Sequence, residues 1–200
     1  PSDYNGLKMR MPGLGGRTIE KLGATPVLLA GPDVLPSLSS GAVDAAEWIC
    51  PAADLGAGLY QAAKYYYGPG WHEPSTLLDL SIDLASWEKL DSSTQGLVDD
   101  MTKSFNMTVF SRFQAANGPA LQKLLNEHNV QLKKFPDEVL IALGNAAGEV
   151  VSERGSINSE TKAICNHLLS FRKNIMDWST KGESEFARIR NLSFKYPDSV

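Results

Sequence analysis

The spacing of apolar positions along this chain changes character near residue 90. Before that point apolar residues come in short runs cut by Gly, Pro and Ser, which is the pattern of brief strands and short helices. Residues 7–11 (Leu-Lys-Met-Arg-Met) read as a strand that enters the run Pro12-Gly13-Leu14-Gly15-Gly16. A short helical stretch over 17–22 follows and ends at Gly23. A second strand over 25–30 is bounded by Gly31-Pro32. Asp33 and Pro36 then frame a short helix carrying Val34, Leu35 and Leu38, stopped by Ser39-Ser40-Gly41. Residues 43–49 form a third strand candidate. Residues 75–83 form a fourth, with Leu78, Leu80, Ile82 and Leu84 alternating with polar positions. Strands that alternate with short helices predict a parallel or mixed sheet.

From Asp91 onward the period becomes helical. Asp91 is a suitable N-cap, and Leu97, Met101, Phe105, Val109 and Phe113 recur every four residues as one apolar stripe. Asn117-Gly118-Pro119 is expected to interrupt this run, because proline suits the start of a helix and not its interior. Leu121, Leu124 and Leu125 then continue helically to about His128. Phe135-Pro136-Asp137-Glu138 predicts a new helix with proline and acids in its first turn. Further helices are predicted over 159–178 and 183–189. No internal repeat or low-complexity segment is evident.

Composition narrows the class. Two hundred residues accommodate one large domain or two small lobes. A hydrophobic fraction of 42% with 21% charged residues is that of a globular protein. The net charge of −4, without a dense Lys/Arg cluster, argues against nucleic acid as a partner. No apolar run reaches the roughly 18 residues that span a bilayer. Cys50 and Cys165 are the only cysteines and show no C-x-x-C spacing, so no zinc site or disulfide framework is implied; they could pair only in an oxidising compartment.

The unusual chemistry lies in two acidic, aromatic segments. Glu47-Trp48 is followed by Tyr65-Tyr66-Tyr67-Gly68-Pro69-Gly70-Trp71-His72-Glu73. A carboxylate beside an indole is partly desolvated and needs a cation or strong donor. The pattern suggests an aromatic-walled cleft, with Arg10 upstream as a counter-charge. Each residue also has a plainer reading. Arg10 and the two glutamates suit surface positions or salt bridges, and Trp48 and Trp71 suit core packing. Arg17 reads as a solvated helix residue. His72-Glu73 is not the helical H-E-x-x-H pair, since no second His follows, so a zinc-protease reading fails. The glycine run at 13–16 lacks both the Lys-Ser/Thr of a P-loop and the G-x-G-x-x-G spacing; it is expected to be a tight turn presenting amides toward a cleft. A metal-dependent hydrolase built on Glu47, His72 and Glu73 would be the enzymatic alternative, but no nucleophile–base constellation accompanies it.

Three segments together resemble a known family: Gly6-Leu7-Lys8-Met9-Arg10, Gly41-Ala42-Val43-Asp44-Ala45-Ala46-Glu47-Trp48, and the Tyr65–Glu73 run. In this order and spacing they resemble the substrate-binding proteins of tripartite ATP-independent periplasmic (TRAP) transporters. The likeness is to the branch that binds 2-oxo acids and related monocarboxylates, also labelled mannitol/chloroaromatic. It extends over nearly the whole chain.

The resemblance implies a non-enzymatic periplasmic protein of the α/β, periplasmic-binding-protein-like two-lobe class. It implies that 1–45 belong to the second lobe, 46–90 to the first, 91–128 to a lobe-spanning helix, and 129–200 to a helical part of the second lobe. Family members carry more than a hundred residues before the Leu-Lys-Met-Arg strand, so this chain is expected to be the C-terminal part of such a protein. Weak or absent ligand binding by these 200 residues alone is expected, and apolar first-lobe surface is expected to be covered by a second copy. By the same resemblance Arg10 grips a ligand carboxylate, for which its planar fork is suited. Glu47, the Trp48 main-chain carbonyl and Glu73 hold a cation. Oxygen donors of this kind favour sodium or calcium over copper or iron. Trp71 and His72 shape the ligand's fit, and Asp83, where relatives often carry Asn, gets no role. The implied partners are a small 2-oxo or 2-hydroxy acid and a TRAP membrane permease driven by an ion gradient. A sensor module on the same fold is the alternative.

Overall fold

The computed structural model describes residues 1–73 and 79–195, which divide into two units, 1–147 and 148–200. The first unit is built on a three-stranded parallel sheet in the order β2-β1-β3. β1 (Lys8–Arg10) is central, with Arg10 opposite Val27 of β2 (Thr25–Val27) and Ala46 of β3 (Ala45–Ala46). Parallel strands need crossovers, and α1 (Gly13–Lys21) and α2 (Gly31–Ser40) supply them. The parallel arrangement matches the strand–helix alternation in the sequence, with shorter strands than the apolar runs suggested.

The glycine-rich run departs from expectation. It forms the first turn of α1 rather than a loop that offers its amides. A Cβ on Gly16 would lie 2.6 Å from the Met11 carbonyl oxygen, and one on Gly15 3.0 Å from Cδ2 of His72. Both glycines are there for close approach: they let α1 lie against the end of β1. Behind the sheet Tyr4, Met11, Ile19, Ala24 and Leu143 form a buried cluster, with Leu7, Met9, Leu22, Trp71 and Val139 packed on it.

Two further elements position the aromatic segment. α3 (Pro51–Gly56) follows Cys50 directly, and β4 (Tyr65–Tyr67) pairs in parallel with β5 (Gln131–Lys133). On β4 the side chain of Tyr66 is half-buried, while Tyr65 and Tyr67 are exposed. Of the strand expected over 75–83, residues 75–78 lie outside the described residues, and 79–83 carry no strand. Asp83 instead caps the short α4 (Leu84–Trp87), accepting from the Ser86 amide at 3.0 Å.

α5 (Ser92–Asn126) begins as expected, with the Asp91 carboxylate accepting from the Thr94 amide at 2.9 Å. It does not break at Asn117-Gly118-Pro119; Pro119 sits within one continuous helix. Packing on both sides of the proline explains this. Asn117 Oδ1 accepts from the Ala52 amide at the start of α3 (3.1 Å), while Ala120 and Leu124 are buried just beyond. Tertiary contacts of this kind outweigh the roughly 3 kcal/mol local penalty of an interior proline. The apolar stripe of α5 is exposed over Leu97, Met101, Phe105 and Phe113.

α6 (Asp137–Gly155) starts in the first unit, with Asp137 and Glu138 in its first turn as the sequence suggested. Within the second unit α7 (Ser159–Ser179) opens on a reciprocal cap between Asn158 and Thr161. One wide turn, Thr180–Ser184, leads into α8 (Glu185–Arg190). Cys50 and Cys165 are both free. No helix among the described residues is long and apolar enough to cross a membrane.

Candidate functional site

The site sits at the carboxyl ends of the parallel strands, where open α/β sheets characteristically bind ligands. Arg10 ends the central strand, and Glu47 follows β3 immediately. Their backbones are tied by the Glu47 amide donating to the Arg10 carbonyl at 2.9 Å. The side chains then fold back on one another. Arg10 Nη1 donates to the Glu47 carbonyl at 2.7 Å and to Glu47 Oε2 at 2.8 Å. The pair is nearly buried, with 11% and 15% of the two side chains exposed.

An indole closes one side. The Arg10 guanidinium lies 5.0 Å from the centre of the Trp48 ring, a cation–π arrangement. That ring is seated on glycine: a Cβ at Gly31 would come within 2.8 Å of Trp48 Cη2. Arg10 is therefore held between an ion pair and an aromatic face, while its Nε is buried without a hydrogen-bond partner.

His72 and Glu73 approach from the segment after β4. Trp71 packs on the core cluster, and its ring lies 4.8 Å from that of His72. His72 Nε2 is 3.9 Å from Glu73 Oε1, and both His72 ring nitrogens are buried without a partner. One donor atom from each of Glu47, His72 and Glu73 lies within 4.8 Å of the other two. All of the residues singled out from sequence thus belong to one neighbourhood, with Trp71 partly committed to packing. Arg17 lies outside it, exposed and paired with Glu20.

The electrostatics follow from this crowding. Burial raises the Glu47 pKa; Arg10 works against that, and the negative charges of Glu73 and Asp54 add to it. Burial lowers the His72 pKa, with Glu73 opposing, which favours a neutral imidazole. Two carboxylates against one guanidinium leave local negative charge, and a cation offsets it.

Asp54 is the residue that the sequence reading missed. It is buried on α3, where Oδ1 accepts from the Ile49 and Cys50 amides, both at 3.2 Å, and Oδ2 accepts from the Tyr66 hydroxyl. It therefore ties the segment after Glu47-Trp48 to β4, which leads to Trp71–Glu73. Burial raises its pKa against the three donors, and burial together with Asp54 raises that of Tyr66. A signal was available: Asp54 is the lone charge between Ile49 and Leu59.

With this geometry in view, similarity to known proteins is decisive. Residues 1–156 match the family model DctP, "Bacterial extracellular solute-binding protein, family 7". The chain belongs to the DctP family. Among DctP-type relatives, a monocarboxylate 2-oxoacid-binding periplasmic protein of Nostoc sp. is 34% identical over 96% of this chain and 52% of its own length. A TRAP periplasmic solute-binding protein of Pseudoalteromonas atlantica, crystallised with sodium and pyruvate, superposes with TM-score 0.87 at 29% identity, covering 96% of this chain and 57% of that one. A TRAP solute-binding protein of Bordetella bronchiseptica, a mixed-occupancy dimer with calcium and picolinate in one site, gives TM-score 0.86 at 31% identity over 94% and 56%. The chain thus spans about half the length of these relatives. The fold class is that of the TRAP periplasmic binding proteins, and the family is extracytoplasmic and made of transport binding proteins rather than enzymes.

Proposed function

We propose that this protein binds a small organic carboxylate, a 2-oxo or 2-hydroxy acid, together with a cation. It then delivers the acid to a TRAP-type permease for uptake driven by an ion gradient, and it performs no catalysis. The observation that carries this reading is the Arg10 arrangement: a nearly buried guanidinium, stacked on Trp48, at the carboxyl end of the central strand, with Nε unpartnered. Such a group recognises a planar anion.

Arg10 is engaged with Glu47, so an arriving acid needs Glu47 neutralised by something else. A cation among Glu47, the Trp48 carbonyl and Glu73 does this, and sodium or calcium suits those oxygen donors. The relatives from Pseudoalteromonas and Bordetella, with cation and acid bound together, support the pairing. Trp71 and His72 shape the wall beside the acid. The lobe assignment follows the sequence segments 1–45, 46–90, 91–128 and 129–200, with lobe closure burying the ligand. The exposed α5 stripe at Leu97, Met101, Phe105 and Phe113 is proposed as the contact with a second copy.

Saturation-transfer NMR with millimolar pyruvate and lactate tests the reading. Transfer to the acid methyl group is expected with calcium or sodium present and is expected to fall in Arg10→Met. Equal transfer to both proteins would contradict the assignment of Arg10.

A further inference from the structure

A cation site made only of oxygens would not explain His72. Both ring nitrogens are buried and have no hydrogen-bond partner, although an unsatisfied buried polar atom costs about 1–3 kcal/mol. The ring is also fixed in place. Its Cδ2 edge lies against Gly15, where a Cβ would come within 3.0 Å, and its face lies near Trp71. Ring orientation is thus set by packing, and Nε2 lies 3.9 Å from Glu73 Oε1.

We propose that Glu47, His72 and Glu73 form a divalent-cation site with a nitrogen donor, which prefers borderline cations such as zinc or cobalt(II) to calcium. The inference deepens the reading of Glu47 and Glu73 as cation ligands and rests on it. Donor chemistry gives the preference. Imidazole suits zinc, cobalt and nickel, whereas carboxylate and carbonyl sets suit calcium and magnesium. The spacing is compatible, because two metal–ligand bonds of about 2.1 Å hold donors at most about 4.2 Å apart. The present set, within 4.8 Å, must contract slightly, and Glu73 can provide the movement because its side chain is 59% exposed. Charge supports a divalent ion as well. Glu47 and Glu73 against Arg10 leave one net negative charge, so a divalent cation and a monocarboxylate together bring the cluster to neutrality.

The test is calorimetric titration of the metal-free protein with zinc chloride and with calcium chloride, no organic acid present. Cobalt(II) absorption and paramagnetically shifted proton resonances are recorded in parallel. Zinc is expected to bind at least about tenfold more tightly than calcium. In His72→Gln that ratio collapses, while His167→Gln, at an exposed position, retains it. Cobalt(II) is expected to shift the ring protons of one imidazole, which gives a readout on the wild-type protein even if His72→Gln folds poorly. Tighter calcium than zinc, no binding of either metal, or a zinc-to-calcium ratio unaltered in a folded His72→Gln protein would overturn the proposal. Calcium-dependent pyruvate binding without zinc preference would leave the carboxylate reading standing and remove the nitrogen donor. Zinc binding without any acid binding would do the reverse.

Discussion

Truncating Asp54 to alanine gives the sharpest test of how the site is held. The change leaves three partly buried donors, the Ile49 and Cys50 amides and the Tyr66 hydroxyl, without their acceptor. Each such donor costs about 1–3 kcal/mol when left unsatisfied. Removing the carboxylate also relieves its own desolvation, which its raised pKa reveals. The balance is a loss of about 2–4 kcal/mol, or roughly 5–15 °C in Tm for a chain of this size. Asp54→Asn should differ sharply. Its Oδ1 can still accept from both amides, and its NH2 can donate to the phenolic oxygen, so a loss under about 1 kcal/mol is expected. Urea unfolding followed by far-UV circular dichroism measures both variants. Alanine within about 0.5 kcal/mol of wild type, or asparagine as damaging as alanine, would refute the argument that Asp54 fixes these segments.

Other consequences are measurable in the same way. Arg10→Met leaves Glu47 nearly buried without its cation partner and should destabilise the protein by about 3 kcal/mol in urea; Arg10→Met with Glu47→Gln should recover part of that loss. Gly31→Ala drives a methyl into the Trp48 ring and should cost about 1–3 kcal/mol, whereas a neutral effect would mean the ring has room to move. The pH dependence has a definite sign. Because the folded state holds the Asp54 proton more tightly than the unfolded chain, its contribution is fully present below the ordinary value of 3.8 and is lost as pH rises through the raised pKa. Stability measured across this range in Asp54→Asn should therefore fall less with rising pH than in wild type.

Much of this architecture was legible in the residues. The alternation of short apolar runs with helical stretches announced a parallel sheet, and Asp91 announced the start of α5. What sequence did not disclose depended on contacts distant along the chain. Pro119 looks like a helix breaker until Asn117 is seen bonded to Ala52. Gly15 and Gly16 look like a loop until Met11 and His72 are placed against them. β5 carries only Gln131-Leu132-Lys133, too weak a pattern to read without its partner β4. At the site, charge in aromatic company identified Arg10, Glu47 and Glu73. The orphaned nitrogens of His72 and the buried carboxylate of Asp54 required coordinates, because neither burial nor hydrogen-bond satisfaction is written in residue spacing.

The central claim is that Arg10 and a cation on Glu47 jointly hold a carboxylate, and crystals grown with calcium and pyruvate test it most directly. Electron density for an ion bonded to Glu47, with the pyruvate carboxylate beside the Arg10 guanidinium, is the predicted result. Pyruvate bound elsewhere, or beside Arg10 with no ion and the Arg10–Glu47 pair unchanged, would contradict it.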